Sequence, residues 1–153
     1  MDKVRNWVGG CLFAVATILT GYAQTASTAT KVDPSASVKR GQYLVEKIGM
    51  CADCHTPFNE KGEPVMDKHL QGAVLMFKPT MPVPGWAERS ANIAGMKGWS
   101  DTEAIKFLTT GVDPNGKSPA PPMPRYRYTR ADAAAVLAYL RSLEPQQSAG
   151  ASK

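Results

Sequence analysis

Histidine and cysteine are scarce in this sequence, with two His and three Cys in 153 residues. That scarcity leaves no disulfide framework to hold a fold together. It also leaves too few ligands for a four-coordinate zinc site at short spacing. No polybasic run is present. The 18 Lys and Arg are scattered among 13 Asp and Glu, for a formal net charge of +5. Such a balance points away from nucleic acid and toward acidic partner surfaces. A chain of this length with 43% hydrophobic content is enough for one domain and short for two.

What is present is concentrated. Cys51-Ala52-Asp53-Cys54-His55 places two thiols three positions apart with a histidine directly after them. This is the C-x-x-C-H pattern of covalent c-type haem attachment. Each thiol adds to a vinyl group of the porphyrin, and one helical turn brings both sulfurs to the same edge. His55 then falls under the iron as the proximal axial ligand. A thioredoxin-like pair would need a βαβ setting, and none is visible. Half a zinc site would need partners close by, but the remaining Cys11 and His69 are distant.

Residues 1–23 read as an export signal. Lys3 and Arg5 form a basic start, Trp7 to Leu19 an apolar run, and Gly21-Tyr22-Ala23 a small-residue cut site. Ser27-Thr28-Ala29 offers a second cut. The alternative is an uncleaved membrane anchor, although the run falls short of the roughly 20 residues a span requires. Cleavage would remove Cys11 and leave only the two motif cysteines. Residues 24–37, rich in Ser, Thr and Ala, read as a flexible leader.

Residues 38–49 are expected to form a first helix bearing Val38, Tyr43, Leu44, Val45 and Ile48, with Gly41 offering a close approach to a neighbour. From Thr56 to Trp99 the chain carries many Pro, Gly and Met and no helical period. Gly72 to Phe77 is a strand or a buried loop. Trp86, Arg89, Asn92 and Trp99 are candidates to cover a haem edge or bond its propionates. Ser100-Asp101-Thr102-Glu103 is a capping box opening a helix that Gly111 ends. Thr129 and Asp132 open a last helix, lined by Ala133, Val136, Leu137, Leu140 and Leu143 and stopped by Pro145. Residues 146–153 read as a disordered tail, so the domain proper is 38–145.

The second axial position is assigned to Met123, whose prolines on either side, Pro122 and Pro124, stiffen the loop around its thioether. Met66, Met76, Met81, Met96 and His69 are rivals. His69, between polar residues, reads as a solvated surface histidine.

In this order the helices, the C-x-x-C-H motif, Gly98-Trp99-Ser100-Asp101, Pro121-Pro122-Met123-Pro124 and the final Ala-Tyr-Leu-Arg-Ser-Leu helix resemble a class I mono-haem cytochrome c domain over residues 38–143. The stretch from Gly98 to Met123 is also similar to cytochrome subunits of bacterial membrane-associated alcohol, aldehyde and sugar-acid dehydrogenases. The resemblance implies an all-α fold of about three to four helices with long irregular loops around one covalent haem c. It places the first and last helices across each other near Gly41 and Tyr139, with His55 and Met123 on opposite haem faces. The long segment after Cys54 and the single haem motif depart from those subunits.

The expected function is electron transfer in the periplasm by one haem with His/Met ligation, not enzymatic turnover, because filled axial sites leave iron no place for substrate. Expected partners are redox proteins, a dehydrogenase as donor and a cytochrome or oxidase as acceptor. No nucleic acid or small-molecule substrate is expected, and membrane contact only through an uncleaved N-terminus or a partner. The alternatives are a haem subunit of a membrane-bound oxidoreductase, or a peroxidase-like or gas-binding protein with an open distal site.

Overall fold

The structure, a computed structural model, describes residues 34–143. The export signal, most of the leader, Pro145 and the polar tail lie outside the described residues. Four α-helices carry the described fold: α1 (Pro34–Tyr43), α2 (Cys51–His55), α3 (Asp101–Thr110) and α4 (Arg130–Ser142). Among the described residues there is no β-strand, only two isolated antiparallel bridges, Phe58 with Pro64 and Val74 with Arg89.

The first helix begins at Pro34, ahead of the residue 38 start expected from sequence. Proline suits the first helical position because its missing N–H would lack an intrahelical partner there anyway. Ser35, Ala36 and Ser37 show no apolar period, and so they read as leader. From Leu44 to Ile48 the helix widens into a π-turn, closed by the Gly49 N–H donating to Leu44 O at 2.7 Å.

Helices α1 and α4 cross at Gly41. A methyl group on Gly41 would overlap the Ala135 carbonyl and stand 2.8 Å from Tyr139 Cβ. Only hydrogen lets the two backbones come this close. Around the crossing, Leu44, Val45, Val136, Leu137, Tyr139 and Leu140 join Ala104 and Leu108 of α3 in one core.

Helix α3 has the expected start: Ser100 Oγ accepts from the Glu103 N–H, and the Glu103 side chain accepts in return from the Ser100 N–H at 2.9 Å. Gly111 closes it at φ +68°. Thr129 caps α4 by accepting from the Asp132 N–H at 3.1 Å. Arg141 then ties α4 to the turn ahead of α3, donating to the carbonyls of Gly95, Met96 and Trp99 and to Asp101 Oδ1 at 2.6–3.0 Å. No helix among the described residues is long and apolar enough to cross a membrane.

Two expectations change. Gly72 to Phe77 is a loop rather than a strand, and only part of it is buried: Ala73 is, whereas Val74, Met76 and Phe77 are exposed. His69 is no solvated surface residue. Its Nε2 meets Glu46 Oε1 at 2.8 Å, and its Nδ1 lies 3.3 Å from Thr56 Oγ1. Tyr139 in turn donates to the same Glu46 Oε1 at 2.9 Å. The polar neighbours of His69 in sequence gave no hint of a carboxylate 23 positions upstream.

Candidate haem site

Helix α2 is a single turn, entered through Met50 in the left-handed region at φ 46°. That conformation is uncommon for a residue with a Cβ and needs support from its surroundings. Tyr126 supplies some of it, donating from its hydroxyl to Gly49 O at 2.6 Å across 77 positions of sequence. Tyr126 also stacks on Tyr128, with ring centroids 5.2 Å apart.

The turn presents Cys51 and Cys54 as free, half-buried thiols. Burial pushes the Cys51 thiol up to about 11, against a lowering contact from the Tyr126 hydroxyl. Burial, then the Asp53 charge, raises Cys54 as well. A dithiol redox pair works by the opposite shift, a thiolate stabilised near neutral pH. Among the described residues, no group of three or more His, Cys, Asp or Glu is placed to hold a metal ion, so the zinc reading gains no partners.

His55 is 7% exposed. Its Nδ1 lies 2.7 Å from the carbonyl oxygen of Ala91. A carbonyl can only accept, so Nδ1 carries the proton and Nε2 keeps a lone pair. Burial also lowers the His55 pKa, opposed by the Ala91 carbonyl, which favours the neutral ring that a metal requires. The backbone of this turn is held too: the Gly72 N–H donates to His55 O at 2.7 Å, and Thr56 Oγ1 accepts from the Leu70 N–H at 3.0 Å.

A cleft of about 220 Å³ opens beside Cys54, walled largely by Phe58, Ala73, Val74, Leu75, Met76 and Phe77. Neither Cys51 nor His55 lines that cleft; what suits a covalently held haem is the donor set of the turn itself, two thiols three positions apart and an imidazole with an oriented lone pair. Held by Cys51, Cys54 and His55, haem would supply one-electron chemistry at its iron.

Met123 is half-buried in the turn after the cis Pro121–Pro122 peptide and is not among the residues lining that cleft. Its loop is tethered by the Ala87 N–H donating to Pro121 O at 2.7 Å and the Met123 N–H donating to Ala120 O at 3.1 Å. Met96, one of its rivals, is buried in the core, whereas Met66, Met76 and Met81 are exposed. Of the candidate propionate partners, Arg89 is exposed and the other three have contacts within the fold. Trp86 meets Phe77 edge-on at 5.8 Å, Trp99 packs on Phe107, and Asn92 Oδ1 accepts from the Ala94 N–H. Ala91, Gly72 and Tyr126 went unseen in the sequence. A backbone carbonyl that orients a histidine leaves no side-chain signature.

Residues 38–144 match the cytochrome c family. The fructose dehydrogenase cytochrome subunit of Gluconobacter japonicus is 29% identical over 121 residues, 72% of this chain and 23% of that one. The cytochrome c subunit of the quinone-dependent alcohol dehydrogenase of Gluconacetobacter polyoxogenes is 29% identical over 118 residues, 71% of this chain and 25% of that one. The gluconate 2-dehydrogenase cytochrome c subunit of Pantoea cypripedii is 35% identical over 78 residues, 47% of this chain and 17% of that one. The chain thus spans at most about a quarter of the length of these curated relatives. It belongs to the cytochrome c family, a haem protein of electron transfer with covalently bound haem c.

Proposed function

We propose that this protein is a mono-haem electron carrier of the periplasm, with Cys51 and Cys54 as thioether anchors and His55 and Met123 as axial ligands. The observation that carries the reading is the buried His55 ring. Its Nδ1–H is committed to the Ala91 carbonyl, and the ring sits on the same turn as the thiols of Cys51 and Cys54. The basic start and apolar run of residues 3–19 support export, and so does haem attachment, which in bacteria takes place outside the cytoplasm. Relatives named as cytochrome subunits of fructose, alcohol and gluconate dehydrogenases support a dehydrogenase as electron donor.

Met123→Ala tests the distal assignment. The oxidised form should lose its weak sulfur-to-iron absorption, the reduced form should gain carbon monoxide binding, and the potential should fall, because a thioether ligand raises it. Retention of the sulfur band would transfer the ligand to another methionine. A wild-type protein that already binds carbon monoxide would favour the open-site alternative.

Lys117, Arg125, Arg127 and Arg130 are all exposed around the Met123 loop. They suit an acidic partner surface, where charge chiefly raises the on-rate and is screened over roughly 8 Å at physiological salt. Stopped-flow reduction by the native donor should slow as salt rises. It should slow again in the Arg125→Glu, Arg127→Glu protein at unchanged potential. Rates indifferent to both would remove this face from the docking surface.

A further inference from the structure

The long segment between the haem-binding turn and α3 gives the site more than cover. Resting on the reading of His55 as proximal ligand, we propose that Ser90 is a positioning residue for that histidine, holding the Ala91 carbonyl to which the imidazole donates.

Ala91 is exposed, so packing of its own side chain does not locate its carbonyl. Its neighbour Ser90 does so by bonding. Ser90 Oγ donates to Cys54 O at 2.6 Å and accepts from the Ala73 N–H at 2.8 Å, with Ala73 O as a second acceptor at 3.3 Å. The Ser90 N–H donates to Ala73 O at 2.8 Å. One hydroxyl therefore spans the last cysteine of the motif and the segment that runs alongside it. The role needs a group that donates and accepts at once, as a hydroxyl does and a methyl cannot.

Gly72 makes the approach possible. It sits at φ +87°, where a side chain would be strained, and an added Cβ would stand 2.8 Å from Ser90 O and 2.9 Å from the Ala91 carbonyl carbon. Its N–H donates to His55 O. Residues 54, 55, 72, 73, 90 and 91 thus form one hydrogen-bonded unit, in which Ser90 ties the acceptor of the His55 Nδ1 proton to the turn that carries His55.

A firmly held acceptor at Nδ1–H makes the imidazole a better donor to a metal and favours the oxidised state. Loosening it should therefore raise the potential. A plain loop staple would change thermal stability and leave ligand electronics alone.

The test uses the haem-loaded protein. In Ser90→Ala the midpoint potential should rise. In the ferric state, the paramagnetically shifted His55 Nδ1–H should exchange with solvent roughly two- to tenfold faster, the range that one hydrogen bond's net contribution allows. Ser90→Thr, which keeps the hydroxyl, should restore both. If Ser90→Ala fails to accumulate with haem, Ser90→Cys keeps a weak donor and should give intermediate values. Wild-type potential and exchange in Ser90→Ala, or in Ser90→Cys where that variant stands in for it, whatever the melting temperature, would overturn the inference alone. A wild-type haem spectrum without histidine ligation would overturn the ligand assignment and this inference with it.

Discussion

The Cys51→Ser, Cys54→Ser protein is expected to carry no covalent haem, so that a denaturing gel stained for haem shows a band for wild type and none for the variant. A thioether survives unfolding because it is a carbon–sulfur bond. An axial histidine bond does not, since its ligand leaves when the turn unravels. Serine matches cysteine closely in size but its hydroxyl does not add to an alkene, so the chemistry is lost with little change in packing. Each single variant retains one anchor and should stain more weakly than wild type. A stained band of equal strength in the double variant would remove both cysteines from the site. Haem content by absorbance before denaturation, read alongside, separates lost attachment from lost expression.

Gly41→Ala should have the largest effect on stability. Two terms compete. Alanine is the better helix former by about 1 kcal/mol. Against it stands the overlap of the new methyl with the Ala135 carbonyl and its contact with Tyr139 Cβ. Backbone atoms cannot swing aside as the end of a long side chain can, so α1 and α4 must move apart. Separation would also loosen the packing of Leu44, Val45, Val136 and Leu140. Overpacking of this kind costs about 1–3 kcal/mol and occasionally more, and the rigid obstacle puts Gly41 at the upper end. The steric term wins, for a net loss of about 2 kcal/mol. For a domain of this size that lowers the thermal midpoint by roughly 10 °C. Gly41→Val should fare worse still, through a bulkier, β-branched side chain. Midpoints unchanged in both would mean that the helices do not meet at Gly41 in solution. Neither substitution touches the thiols, so the haem that remains bound should stay covalent.

Local patterns were legible from sequence because each is closed by bonds a few residues long. The Ser100–Glu103 box, the Gly111 cap and the Thr129 cap formed as read, since each is a short-range hydrogen bond between residues whose spacing is visible in the chain. The C-x-x-C-H turn belongs to this class: three residues of helix bring its thiols together. The crossing at Gly41 was also readable, from the resemblance and from a glycine set among apolar residues of α1.

Tertiary structure alone decided what surrounds the turn. The His55 bond to Ala91 and the Ser90 bond to Cys54 each span 36 positions, Tyr126 to Gly49 spans 77, and Glu46 to Tyr139 spans 93. In the sequence, residues 56–99 show no period because their order comes from such distant partners rather than from a repeating apolar face. Ala91 contributes only a carbonyl oxygen, which every residue possesses, so no residue type could have marked it. His69 was misread for the same reason. A histidine among polar neighbours looks solvated until the chain folds and sets Glu46 and Thr56 against its two nitrogens.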